Sequence, residues 1–242
     1  DAFLRPGAIG ELLAHARKNP QLGVVGPRTL CPDGTLQQSC FRYTTPGQVW
    51  RENFWISSLF GGHRVWGDYR RWGHDQVREV DFVIGACMLV RAACYRQVGG
   101  FDESFFLYSE ECDWQWRMHQ AGWKIGFTPA ATVVHVGGAS GVGEKARINR
   151  HFFESLDHYL RKHHGWMGLL SLRAAMVMGC SLRLGLWTGA YVTVPRRRAV
   201  AKAKMKLHGW LIVRQLTAWP QPPARVGPAT ISTMPAMAAT QR

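Results

Sequence analysis

Carboxylates are missing from the last third of this chain. After Asp157 no Asp or Glu occurs, although thirteen Lys and Arg remain, whereas residues 1–150 hold seventeen basic side chains against fourteen acidic ones. The net charge of +14 over 242 residues therefore belongs to the C-terminal part. Such an asymmetry suits an anionic surface, either nucleic acid or lipid headgroups. No recognised nucleic-acid motif accompanies it, and the basic excess lies in an apolar, helix-forming region, so nucleic acid is set aside as a partner. Paired cysteines are also absent. The six cysteines (31, 40, 87, 94, 112, 180) show no Cys-x-x-Cys and no zinc-like spacing, which excludes a zinc ribbon or a dithiol redox motif. Scattered singly, they read as reduced, mostly buried thiols of a cytosolic protein. No internal repeat is present, and an uninterrupted apolar run of membrane-spanning length is lacking as well.

The nearest to such a run is Trp166 to Val194, which Arg173 and Arg183 interrupt. On a helical wheel those two lie about 80° apart, on the side that also carries Ser181 and Thr188. A spanning helix needs about 20 apolar residues, and a central Arg costs roughly 2.5–3.5 kcal/mol. An amphipathic helix lying in the membrane plane avoids that cost. Pro195-Arg-Arg-Arg198 with Lys202, Lys204 and Lys206 then supplies a polybasic flank for anionic lipid. The other reading is a soluble helical appendage packed on the main domain. Beyond Pro220 the Pro/Ala/Thr-rich composition predicts a disordered tail.

The first 165 residues alternate helical and strand patterns, which indicates an α/β fold. A helix is expected from Pro6 to about Asn19, a short buried strand over Leu22–Pro27, and a turn at Cys31-Pro-Asp-Gly-Thr35. Residues 44–79 interleave Trp with Arg and Gly and read as an ordered excursion, with some helix near 46–60. Val80–Val90 reads as one buried strand, in which Gly85 suggests close approach by a ligand or another backbone. A short helix over Ala92–Val98 should stop at Gly99. Two further strands, Lys124–Thr128 and Thr132–Val136, lead to the loop Gly137-Gly-Ala-Ser-Gly141, and a helix follows from about Asn149.

Between these elements lies the densest chemistry in the chain, Phe106-Leu-Tyr-Ser-Glu-Glu-Cys-Asp-Trp-Gln-Trp-Arg117. Glu110, Glu111 and Asp113 crowd into four positions among Phe105, Phe106, Tyr108, Trp114 and Trp116. Acids beside large apolar side chains are how a protein raises a carboxyl pKa and makes a general base. A helix N-terminus over about 109–121, with Arg117 pairing back one turn, accounts for the same residues. His135, flanked by valines, is by itself either a core histidine or a ligand. Asp102 reads as a turn or cap residue.

Five blocks stand in order: Leu22-Gly-Val-Val-Gly-Pro-Arg28, Pro32-Asp-Gly-Thr-Leu36, Val80 to Arg91, Gly99-Gly-Phe-Asp-Glu to Asp113, and Val133-Val-His-Val-Gly-Gly138. Together they resemble the family 2 glycosyltransferases of the GT-A fold, in particular a bacterial rhamnosyltransferase-like branch. The resemblance implies that residues 1–148 are the C-terminal portion of a GT-A catalytic domain, whose nucleotide-binding half would precede Asp1. Hydropathy, charge and composition predict a helical, basic, membrane-associated region over 149–219 and a disordered tail over 220–242. Glu111 falls on the family's base, with Glu110, Asp113 and Arg117 supporting it; Glu stands where the family commonly has Asp. Asp1 matches the last acid of a D-x-D-like motif and His135 a strand-end His, together holding a divalent metal, Mn²⁺ or Mg²⁺. Asp81, Gly85, Gly137 and Gly138 fall where donor and acceptor bind. The implied activity is inverting transfer of a sugar, rhamnose by the nearest branch, from a nucleotide-diphosphate donor to a lipid-linked or cell-surface glycan acceptor. Its implied place is the cytoplasmic face of a bacterial membrane, as a peripheral or monotopic protein. A chain without the nucleotide-binding half could instead bind acceptor or membrane and turn nothing over.

Overall fold

Nine residues, Leu22–Leu30 (β2), are buried along almost their whole length because strands flank them on both sides. A computed structural model describes residues 1–56, 69, 72–137 and 145–218, with the backbone alone for 145–149. In it, β2 runs parallel to Lys124–His135 (β8). Each of these two long strands has two short antiparallel neighbours on its outer side. On β8 these are Arg78–Val80 (β5) at its start and Ala2–Leu4 (β1) at its end. On β2 they are Leu89–Val90 (β7) at its start and Leu36–Gln37 (β3) at its end. The sheet is therefore short and curled, as a GT-A-like α/β domain requires. A separate ribbon pairs Cys40–Phe41 (β4) with Phe82–Val83 (β6).

Two strand expectations are corrected. Val80–Val90 is not one strand but parts of three, because each piece finds a different partner: β5 joins β8, β6 joins β4 and β7 joins β2. The break falls at Asp81, whose carboxylate accepts from the Tyr43 N–H and the Tyr69 hydroxyl. Conversely, Lys124–Thr128 and Thr132–Val136 are one strand. Its register against β2 slips between Pro27/Thr128 and Arg28/Thr132, where Pro129 lacks an N–H for the ladder.

Helix Ala8–Lys18 (α1) covers one face of the sheet through Ala8 and Leu12, which pack on Leu22, Val25 and Ala131. The other face takes Ala92–Val98 (α3) and Glu110–Gln120 (α4), with Cys94, Trp114 and Met118 against Val24, Val83 and Phe127. α3 stops at Gly99, whose φ of 82° suits glycine. The expected helix near 46–60 is Pro46–Asn53 (α2), capped by Thr45; residues 57–68 of that excursion lie outside the described residues.

The C-terminal helices complete this core. Lys145–Thr193 (α5) is one helix kinked at Gly165, where φ is 63°. Its first arm buries Tyr159 and Leu160 beside Phe105 and Cys112, and its second buries Leu169, Leu172 and Ala175 beside α2. Arg198–Thr217 (α6) folds back along α5, and Arg214 and Arg173 reach the buried Asp157 carboxylate at 3.2 and 3.7 Å. Large apolar side chains nonetheless stay outside, among them Met167, Leu186 and Leu216. Among the described residues α5 is the one helix long and apolar enough, by length and composition, to cross a membrane. The tail expected from residue 220 lies outside the described residues.

Candidate functional site: a buried acid pair at a helix start

α4 is held on the β-ribbon by one side chain. Gln115 is fully buried and behaves like a strand partner, accepting from the Val83 N–H at 3.0 Å and donating to the Val83 carbonyl at 2.7 Å. One turn earlier, Glu111 faces the loop after β6, where the Gly85 N–H donates to its carboxylate. A Cβ added to Gly85 would meet nothing closer than the Glu111 Cβ at 3.9 Å, so the two residues lie side by side. Burial, with the neighbouring Glu110 charge added, pushes the Glu111 carboxyl up to about 7. Burial raises Glu110 as well. In each residue Oε2 is buried and lacks a hydrogen-bond partner among the described residues. The chain enters this pair through Tyr108 and Ser109, both at positive φ (66° and 65°), an uncommon conformation outside glycine.

Asp113 and Arg117 share the helix but not the environment. Asp113 is completely buried. Burial alone would raise its carboxyl, but His163 at 2.7 Å, Lys162 at 2.6 Å and Arg117 at 2.9 Å outweigh it and hold the pKa below the usual range. Arg117 also donates to the Val98 and Gly100 carbonyls. Lys162 bridges on to Asp102, whose Oδ1 accepts from Ser104 in a tight turn, the structural role expected of it. This charge cluster ties α4 to the α3–α4 loop and to α5. Lys162, His163 and Gln115 were not legible as partners of the acids; the one available signal was the place of Gln115 one turn after Glu111.

At the other end of β8, Asp1 and His135 come together because β1 pairs with that strand, Ala2 opposite His135. The Val136 N–H donates to the Asp1 carbonyl. Asp1 Oδ1 lies 3.6 Å from His135 Nε2, while His135 Nδ1 lies 3.1 Å from Gln37 Oε1. An Nδ1–H donated to Gln37 leaves the Nε2 lone pair facing the carboxylate. Two acceptors turned toward each other fit a shared cation, and a fixed outer hydrogen bond on the far ring nitrogen is usual for a metal-ligating His. Among the described residues no group of three or more His, Cys, Asp or Glu forms a fuller metal cage. Gly137 abuts the same Gln37, and its Cβ would meet Nε2 at 2.7 Å. Gly138 lies outside the described residues.

The segment Gln37–Ser39 links the two clusters. Gln37 contacts His135, and the Ser39 carbonyl accepts from the N–H of Ile84, the neighbour of Gly85. Asp1, His135, Gln37, Gly85 and Glu111 thus gather around one short piece of chain. Asp81 does not join them. It lies toward the opposite end of α4, in a cleft with His119 and Lys124, where it is tied to Tyr43, Tyr69 and Arg42. Nor is Glu111 walled by all the expected aromatics: Phe106 is 78 % exposed against His151, and Trp114 turns away to the Gly99 carbonyl. Trp114 lies one turn after Glu111, but its ring is held by the Gly99 carbonyl, and the Tyr108–Ser109 turn swings Phe106 outward.

Residues 65–168 match the family model "Glycosyltransferase like family 2". That stretch contains Glu110, Glu111, Asp113, Arg117 and His135. That stretch is similar to family 2 glycosyltransferases, and three of the five sequence blocks fall within it. Curated relatives agree. Over 197 residues, 74 % of this chain, it is 29 % identical to an N-acetylglucosaminyl-diphospho-decaprenol L-rhamnosyltransferase of Mycobacterium tuberculosis. It is 28 % identical over 141 residues, 56 % of the chain and 10 % of the relative, to an O-antigen biosynthesis protein of Myxococcus xanthus. A 56-residue stretch is 38 % identical to an Escherichia coli rhamnosyltransferase, over 23 % of this chain and 21 % of that one. The chain spans 61 % of the length of the mycobacterial relative.

Proposed function

We propose that residues 1–148 are the acceptor-side part of an inverting glycosyltransferase that transfers a sugar, rhamnose by analogy with its relatives, to a lipid-linked acceptor. The observation that carries this is the Glu111 carboxyl: buried, unpartnered at Oε2 among the described residues, pushed up to about 7 and set beside Gly85. Glu111 takes the proton of the acceptor hydroxyl as that oxygen attacks the anomeric carbon from the face opposite the leaving group. The new C–O bond forms as the bond to the nucleoside diphosphate breaks, and the electron pair leaves with the diphosphate. Glu110 keeps the base weakly acidic by its charge, and Gly85 orients the carboxyl through its N–H. Asp113 and Arg117 hold α4 in register rather than touching substrate. Asp1 and His135 would hold a divalent cation, Mn²⁺ or Mg²⁺, with Gly137 and Gly138 beside it; when bound it supplies positive charge for the diphosphate. Gln37 fixes the tautomer of His135. Asp81, remote from Glu111, would contribute only through acceptor parts that reach its cleft.

Residues 149–219 are read as the region that keeps the domain at the cytoplasmic face of a bacterial membrane, and 220–242 as a separate tail. The exposed apolar residues of α5 and α6 and their basic neighbours support this. The competing reading is a chain that binds acceptor or membrane without turnover. One experiment tests the base assignment. In the full-length protein, with a nucleotide-diphosphate rhamnose donor and a diphospho-polyprenol acceptor, transfer is expected from the wild type, while Glu111→Gln abolishes it and retains nucleotide binding. Wild-type turnover by that variant refutes the base assignment.

A further inference from the structure

We propose that the cavity between α5 and α6 is a headgroup site for one anionic phospholipid, which sets the height of Glu111 above the membrane. The inference rests on the membrane-surface reading above and gives it a specific site. The cavity encloses about 370 Å³ between the first arm of α5 and the C-terminal turns of α6, a volume in the range of small-molecule sites. Arg150, Arg161 and Arg214 line it. Two acids share the region: Asp157 is held through Oδ2 by Arg214 and Arg173, while its Oδ1 is buried without a partner among the described residues, and the half-exposed Glu154 lies 3.3 Å from His151. Among the described residues neither Arg150 nor Arg161 has a carboxylate partner. Arg214, whose side chain is only 9 % exposed, uses Nη2 on Asp157, and its Nη1 has no acceptor among the described residues. A guanidinium N–H buried without an acceptor is costly, and a phosphate oxygen is the acceptor a guanidinium binds best.

What rims the cavity is apolar. Trp210 and Val213 line it, and with Leu216 they stand 45–68 % exposed at three-residue intervals along α6. A cationic pocket beside an exposed apolar strip matches a phosphate carrying acyl chains, and a free phosphate would leave the strip unused. From Trp210 a row of rings runs through Phe153 and Phe152 to Tyr108, with centroid steps between 5.3 and 6.1 Å. Tyr108 lies three residues before Glu111, and half-exposed aromatics are the residues that settle at headgroup level. A lipid in the cavity and this row in the interface bring Glu111 down to where a lipid-linked acceptor carries its sugar.

The test uses the full 242-residue chain and a short-chain phosphatidylglycerol kept monomeric in solution, followed by calorimetry. Saturable one-to-one binding is expected, weakened at least about tenfold by Arg150→Gln/Arg161→Gln. Val213→Asp, at an exposed position, should weaken it too. Lys202→Gln/Lys204→Gln/Lys206→Gln removes more charge and should change it less than about twofold. No saturable binding, equal loss in the two charge variants, or equally tight binding of inorganic phosphate overturns the site. Flotation on phosphatidylcholine vesicles with and without phosphatidylglycerol then tells the two levels of the account apart. Selective flotation of wild type, lost in the double-Arg variant, supports the site. Selective flotation unaffected by that variant sinks the site and leaves the membrane reading standing; flotation indifferent to phosphatidylglycerol sinks both.

Discussion

Glu111→Gln should make the protein more stable at neutral pH. A carboxyl raised from its ordinary value of 4.5 to about 7 takes up a proton on folding, since the unfolded chain releases it first. Below about pH 4.5 the group is protonated in both states and makes no difference. Between 4.5 and 7 the folded protein binds the extra proton, so stability falls as pH rises; above 7 the loss is complete and constant. A shift of that size corresponds to about 3 kcal/mol. Glutamine keeps an oxygen for the Gly85 N–H, matches the shape and carries no charge to desolvate. At pH 8 the variant should therefore gain up to about 3 kcal/mol, or roughly 6–12 °C in Tm for a chain of this size. At pH 4.5 the two proteins should melt together. Urea or thermal denaturation from pH 4.5 to 8.5 measures the difference directly. A variant less stable at pH 8, or a difference that does not change with pH, would show that Glu111 is not a strained buried acid.

Asp113→Asn should act in the opposite sense. It leaves His163, Lys162 and Arg117 around a neutral buried group, and should cost about 3–5 kcal/mol at pH 7 by urea titration. Because the Asp113 carboxyl is held below the usual range, its contribution is present above the ordinary Asp value and is lost as pH falls through its folded value, so the deficit should shrink in acid. Gln37→Ala frees His135 Nδ1 and should weaken Mn²⁺ binding about 10–100-fold, read by the paramagnetic resonance of free Mn²⁺.

The sequence carried the parts of the site that depend on local order. Pro6, Gly99 and the acids of 110–113 marked helix ends that lie within two residues of their expected places. Asp1 and His135, far apart in the chain, were paired by family resemblance and meet through the β1–β8 ladder. What failed was tertiary. Whether Val80–Val90 is one strand or three depends on which neighbours its segments meet, and apolar periodicity does not contain that choice. The kink at Gly165 lets the second arm of α5 pack beside α2 and share the core of the first 148 residues, which composition alone could not indicate. The aromatics around Glu111 were adjacent in sequence, but the Tyr108–Ser109 turn and the hydrogen bond from Trp114 to the Gly99 carbonyl send them in different directions.

The pH dependence of sugar transfer by the full-length protein tests the central claim most directly. If Glu111 is the base, kcat/KM should fall about tenfold per pH unit below a limb near 7. Glu110→Gln, by removing the neighbouring charge, should move that limb to lower pH without abolishing transfer. A rate that stays flat from pH 5.5 to 8, or a limb that Glu110→Gln leaves in place, would contradict the assignment of Glu111.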